Sequence, residues 1–219
     1  MNFDWSVVWR NSEALIEGTE LTIVLAVTTM AVAIPGGILL ALMRLSGVRP
    51  LVWASAGFTE LFRNLPLILV IYTAYYILPV ATGLSFSPLV TGIVALSLNV
   101  SAYNGETFRA GIASIRKGQS EAAYALGMTR WQTTRDIVLP QAVRRVLPVL
   151  ASTWVSLFKD TSLVSVISVG ELAYNSMRLR AQTYRVLEML TAMAAIYWAL
   201  GYPQAKLADW INRRFAVSE

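Results

Sequence analysis

Residues 21–43 read LTIVLAVTTMAVAIPGGILLALM and carry no charged side chain. A helix needs about 20 mostly apolar residues to cross the hydrocarbon of a bilayer, and this stretch supplies them. Lipid rather than water is therefore the expected solvent for much of its surface. Pro35-Gly36-Gly37 inside it reads as a kink or a point of close helix packing, not as a binding element.

Working outward, four more stretches are long and apolar enough to cross, at about 61–80, 88–108, 143–172 and 186–207. The whole chain fits this solvent: of 219 residues 56% are hydrophobic and only 14% charged, against about 25% charged in soluble domains. The expected fold is all-α: one polytopic membrane domain, 1–219, with five transmembrane helices and a cytoplasmic loop at about 112–140. There is no cysteine and no histidine. Disulfides, thiolate or imidazole metal sites and catalytic dyads built on His or Cys are excluded. No catalytic residue and no metal site is predicted.

The first twenty residues set Asp4, Glu13, Glu17 and Glu20 against Arg10, which is not the basic start of a secretory signal peptide. Trp5, Val8, Trp9 and Ile16 fall on one helical face, so this segment reads as a short interfacial helix or as a disordered tail. Among the 18 Lys and Arg residues, thirteen fall on one set of alternate connections. Four fall on the other, Arg10, Arg178, Arg180 and Arg185, and Lys159 stays within a span. Basic residues are retained on the cytoplasmic side. The bias predicts a multi-pass membrane protein with its N-terminus outside and its C-terminus cytoplasmic. The net charge of +5 is assigned to that bias and not to nucleic acid.

The loop contains EAAYALGMTRWQTTRDIVLP, residues 121–140. Ser120 suits a helix cap and Gly127 a helix end, since glycine accepts the left-handed conformation without a Cβ clash. That gives a helix over 121–126. A second helical piece starts near Thr129, and Pro140 suits a helix start. Ala122 and Ala123 keep the first helix slim, so a groove wall can approach it. Taken alone, helix–Gly–helix also describes an amphipathic loop on lipid headgroups.

Glu121-Ala122-Ala123, Gly127, Ile137 and Leu139-Pro140 stand at the spacing of the EAA loop, and the chain resembles bacterial ATP-binding-cassette importer permeases. GTELTIVLAV from Gly18, ELFRNLPLILVIY from Glu60, AYNGETFRAGIASIRKGQSEAA from Ala102, LPQAVRRVLP from Leu139 and KDTSLVSVISVGEL from Lys159 resemble the subgroup for polar amino acids. FDWS at Phe3 and MRLS at Met43 bring the look nearest to glutamate/aspartate importers. Gly105-Glu106 and Ala110-Gly111 depart from the subgroup's usual spelling.

The resemblance implies a place in the bacterial inner membrane, with the N-terminus periplasmic, and that Glu121, Ala122, Ala123 and Gly127 couple the chain to a cytoplasmic ATP-binding subunit dimer. It also implies a second permease subunit, a different chain or a second copy of this one, a periplasmic solute-binding protein and an amino acid substrate. No GxxxxGK[ST] phosphate loop is present. The chain is thus expected to bind no cofactor, ATP and Mg belonging to the partner ATPase.

Ionisable groups inside a bilayer are costly and mark a pathway or a partner. Lys159-Asp160-Thr161-Ser162 lies within the fourth span. Neighbours on a helix point about 100° apart, so Lys159 and Asp160 cannot face one partner without a local break. Thr161 and Ser162 are placed to satisfy the backbone there. Lys159 suits a substrate carboxylate and Asp160 an α-ammonium. Alternatively, Asp160 pairs with a structural cation and Lys159 lies at a subunit interface. In the third span Asn99, Tyr103 and Glu106 share a face with Ala102 and line a pathway or glue helices together. Glu106 is placed to pair with Arg109. Arg63 reads as a snorkelling residue at the inner mouth. A channel or pore subunit is the alternative function. It predicts a repeated polar ring, and only this one cluster is present. A serine–lysine hydrolase would need Lys159 beside Ser156 or Ser162 in a wet site.

Overall fold

The computed structural model describes residues 3–215. The expected 1–219 domain runs past these at both ends. The termini, to which the sequence assigns sides of the membrane, lie outside the described residues. Every regular element among the described residues is helical.

A short helix α1 (Ser6–Arg10) leads through Asn11 into α2 (Ser12–Leu45), so the N-terminal segment forms the helix that its apolar face suggested. Trp5 and Trp9 are exposed. Hydrogen bonds from Ser6 and the guanidinium of Arg10 hold the Asp4 carboxyl below its usual value, burial opposing them. α2 has 34 residues, about 50 Å of helix against roughly 30 Å of hydrocarbon. Among the helices of the described residues it alone is both long and apolar enough throughout to cross a membrane.

The expected span at 61–80 is divided. α3 (Arg49–Asn64) ends where Leu65 becomes extended ahead of Pro66, because the proline ring excludes the helical conformation from the residue before it. α4 (Leu67–Tyr72) then departs, and the two directions differ by 108°. A π-helical turn (Thr73–Ile77) joins α4 to α5 (Leu78–Thr82). α6 (Pro88–Ala113) starts with Pro88 in the first turn and the Ser87 hydroxyl accepting from the Val90 amide.

α7 (Lys117–Ala125) begins three residues before the expected cap. Ser120 lies inside it, and Arg116 holds the N-cap position in extended geometry. The end is as expected: Gly127 has φ +81. The Gly127 amide donates to the Tyr124 carbonyl and the Met128 amide to the Ala123 carbonyl, the Schellman closure that only a residue comfortable in this region makes cheaply. Thr129 caps α8 (Arg130–Gln132) through a reciprocal capping box with Gln132. A second π-helical turn (Thr133–Val138) continues into α9 (Leu139–Asp160). Pro140 therefore sits within a continuous helical run and does not start a separate one. Both π turns end two residues before a proline, Pro79 and Pro140. Each widens the backbone where the ring removes an amide and crowds the preceding carbonyl.

α9 ends at Asp160 and the chain tightens into a 3-10 segment (Thr161–Ile167), which stops at Ser168 with φ 62. The break expected beside Lys159-Asp160 is thus present. The Thr161 hydroxyl donates to the Phe158 carbonyl and that of Ser162 to the Lys159 carbonyl, both at 2.8 Å. The stretch 143–172 is not one straight crossing: Glu171 caps a further helix, α10 (Leu172–Thr183), before α11 (Val186–Phe215) returns. The buried Glu171 carboxylate accepts from the amides of Ala173 and Tyr174 and from the Tyr197 hydroxyl, which ties α10 to α11.

The core joins α2, α4, α6, α9 and the 3-10 segment through Leu25, Ile71, Leu96, Leu157, Val164 and Ile167. A second cluster, Val7, Leu15, Leu172, Leu179 and Met189, binds α1 and α10 to the first turns of α2 and α11. α2 and α6 touch backbone to backbone. A β-carbon on Gly37 would lie 2.6 Å from Asn104 Cβ, and one on Gly105 2.9 Å from Leu40 Cβ. Pro35-Gly36-Gly37 is a close-packing point, as its composition suggested.

Candidate functional site: two cavities flanking α9

Asn64-Leu65-Pro66 opens space between α3 and α4 by turning the chain away. The last carbonyls of α3 have no partner within their own helix, and α6 supplies donors. The Asn99 amide donates to the Phe62 carbonyl at 2.8 Å, and the Tyr103 hydroxyl to the Arg63 carbonyl at 3.4 Å. The Arg63 guanidinium stands 5.5 Å from the Tyr103 ring centroid. The polar stripe of α6 therefore does both things open to it: it fastens the end of α3 and it faces a cavity.

That cavity measures about 700 Å³ and is lined by Arg63 to Leu67, Asn99, Tyr103, Ser152, Thr153, Ser156 and Asp160, among others. It meets a second space of about 470 Å³ at Arg63, Tyr103 and Val149, where Glu106, Ser114 and Arg145 join the wall. Glu106 is ion-paired with Arg109 on its own helix, as expected. Arg145 donates to the Ser114 carbonyl at 2.7 Å, tying α9 to the end of α6.

A third cavity, about 760 Å³, lies on the opposite flank of α9 against α10 and α11. Lys159, Ser162, Ser165, Tyr197, Trp198 and Tyr202 line it. Lys159 and Asp160 are neighbours in the chain and face different spaces, as a helix requires of adjacent residues. Of the seven pathway candidates, Asn99, Tyr103 and Asp160 share one cavity and Glu106 lines the space adjoining it. Lys159 and Ser162 line the other flank. Thr161 is fully buried and spends its hydroxyl on the backbone. Sequence reasoning named Asp160 but missed that Ser152 and Ser156 extend its wall along α9. The signal was a polar residue at every fourth position. It also missed Arg63 as a wall residue, since the bend that turns it inward has no hydropathy signature.

At the other end of α9, Ala123 is buried while Glu121, Ala122 and Tyr124 on α7, and Leu126 just past its end, are exposed. Leu126 reaches 84% and Trp131 71% exposure. Gln141 donates to Gln119 at 3.3 Å, joining α9 to α7. The result is a rigid, apolar-tipped projection beneath the cavities.

A family model described as "Binding-protein-dependent transport system inner membrane component" matches residues 33–217. The glutamate/aspartate import permease protein GltK of Escherichia coli O6:H1 is 36% identical over 221 residues, covering 98% of this chain and 99% of that one. The glutamine transport system permease protein GlnP of Escherichia coli K12 is also 36% identical, over 218 residues, covering 99% and 100%. The crystal structure of an amino acid ABC transporter with histidines superposes with a TM-score of 0.91 at 30% identity, covering 98% of this chain and 100% of that one. This chain belongs to the binding-protein-dependent transport system inner membrane components, as a permease subunit of an ATP-binding-cassette importer and not an enzyme.

Proposed function

We propose that the chain carries a polar amino acid across the inner membrane, with glutamate or aspartate the favoured solute. The observation that carries this reading is one carboxylate, Asp160, and one guanidinium, Arg63, on the wall of a single cavity of about 700 Å³. An amino acid offers an ammonium and a carboxylate, and the two groups complement those charges. Asp160 keeps the ammonium-binding role the sequence suggested. The carboxylate-binding role passes from Lys159, which faces the other flank, to Arg63. Arg145 in the adjoining space is available to a side-chain carboxylate. The relatives support amino acids as a class. GltK and GlnP match at equal identity, so preference for an acidic side chain rests on the arginines.

Force enters through α7. ATP binding closes the ATPase dimer, with Mg and nucleotide held there, and pushes on Glu121, Ala122 and Ala123. The Schellman closure at Gly127 and the contacts of α7 with the π turn pass the push to α9, which bears Asp160. The cavity then opens outward to a loaded solute-binding protein, and hydrolysis resets it. In this arrangement α1 and the α10–α11 connection are outermost, α7 is cytoplasmic, and a second permease chain, different from this one, completes the pathway.

The test is solute-stimulated ATPase and uptake by the reconstituted complex across a panel of amino acids, sugars and peptides. Stimulation by glutamate or aspartate is expected, with half-saturation raised roughly ten-fold in Arg63→Ala, about 1.4 kcal/mol for a charged hydrogen bond. Response to sugars or peptides and to no amino acid overturns the reading.

A further inference from the structure

The buried Glu171 does more than cap α10. One carboxylate oxygen accepts from the Tyr174 amide at 2.7 Å. The other accepts from the Ala173 amide at 2.8 Å and from the Tyr197 hydroxyl of α11 at 2.9 Å. A cap alone asks for a shorter side chain, since aspartate is a preferred N-cap residue. The extra methylene of glutamate carries an oxygen across to α11. The Leu172 amide donates to the Thr22 hydroxyl at 3.2 Å, which fastens the start of α10 to α2 as well.

Tyr197 in turn meets the end of α9. Its ring stands edge-on to Phe158, with centroids 6.1 Å apart and planes at 76°. Thr161 lies beside its hydroxyl. Phe158 and Thr161 are both buried, and the Thr161 hydroxyl donates to the Phe158 carbonyl at 2.8 Å. These two residues flank Lys159-Asp160 on either side, so the charged pair is carried on a short arch whose two feet rest on Tyr197. Neither Glu171 nor Tyr197 lines the cavity that holds Asp160.

Asp160 needs such support. It is the last residue of α9, where the helix tightens from 3.6 towards 3.0 residues per turn. Helix ends fray, and a residue there keeps one direction only if its neighbours are held. A binding group works well when packing and hydrogen bonds lock it to within about 0.5 Å of its productive place.

We infer that Glu171 and Tyr197 are positioning residues for the solute's ammonium group. Their hydrogen bond holds Phe158 and Thr161 in place and so keeps Asp160 aimed into the solute cavity. The inference rests on the reading above, which gives Asp160 that ammonium.

The test uses the reconstituted importer with its ATPase and solute-binding protein, and reads half-saturation and maximal rate of glutamate uptake. Tyr197→Phe keeps the ring against Phe158 and loses the hydroxyl. Glu171→Asp keeps a capping carboxylate and withdraws it from Tyr197. Each is expected to raise half-saturation about five-fold, the scale of one hydrogen bond, with maximal rate held within about two-fold. The double variant should be no worse than either single one, because both cut the same link. In an Asp160→Asn background Tyr197→Phe should add nothing. Wild-type half-saturation in both single variants overturns the inference. So does an effect that persists in full in Asp160→Asn, which would make the link a packing feature with no bearing on Asp160. If Asp160→Asn alone leaves half-saturation unchanged, the ammonium-binding reading falls and takes this role with it. If Asp160→Asn raises it and neither single variant does, the positioning role alone falls.

Discussion

α6 has two seams, and they are built differently. Against α2 it makes a closed joint. Gly36, Gly37 and Gly105 bring their backbones directly against Ser101, Asn104 and Leu40 of the facing helix, and a β-carbon at Gly36 would sit 2.5 Å from Ser101 Oγ. Against α9 it touches near Gly111, where an added β-carbon would collide with a Val146 methyl, and against the 3-10 segment that continues α9 it touches near Gly92, where one would lie 3.1 Å from Val164. Between these points the seam parts around the cavity that holds Asp160. Close-packed interfaces transmit strain without deforming. α2 and α6 therefore act as a frame, and α9 is the element with room to shift on either flank.

The largest effect should come from filling the closed joint. Gly37→Leu places a branched chain where Asn104 backbone is already 3.0 Å away. We expect no monodisperse protein by size-exclusion chromatography, since the overpacking cost exceeds the usual ~1–3 kcal/mol of a yielding core. Gly118→Ala, in open space on α7, should purify normally. Equal behaviour of the two would erase the distinction between frame and mover.

Next is Asp160→Asn in the open seam. The protein should fold, but loss of a charged partner should cost about 2 kcal/mol of solute binding, roughly thirty-fold in half-saturation for uptake. Unchanged half-saturation would mean that the parted seam is not the route. Gly127→Pro tests how the mover is driven. It removes the amide that donates to Tyr124 and imposes negative φ where +81 is needed. We expect uptake per ATP hydrolysed to fall about ten-fold, the Schellman closure being lost, with the spans intact by circular dichroism. The smallest effect belongs to Lys159→Gln. This residue faces the other flank, so the change in half-saturation should stay within about two-fold, the scale of a group that contacts no solute. A change as large as that of Asp160→Asn would unite the two cavities.

Much of the frame was legible in the chain. Residues 21–43, 88–108 and 186–207 are long apolar runs, and each lies inside a helix. Gly127 announced its left-handed turn, and Lys159-Asp160 announced a break, because no regular helix aims both at one partner. The open seam was harder to read. Leu65-Pro66 sits inside an apolar run, and a hydropathy window averages across a proline that bends the backbone by 108°. The separate helix α10 was hidden for a similar reason. Its signal is Glu171, whose carboxylate caps the first turn, and a buried cap resembles any stray acid in sequence. Which flank each α9 residue faces depends on the neighbours of the helix. That information is not in its own residues.

The π turn at Thr133–Val138 holds more backbone per revolution than the helices on either side. Everything before it, α7 included, is clocked around the axis of α9 by that surplus. Deleting one residue there would leave an ordinary helix and swing Tyr124 and Leu126 through about 100°. The surplus thus fixes the compass bearing at which the apolar tip leaves the molecule, and a sequence otherwise identical but one residue shorter would point it at empty solvent.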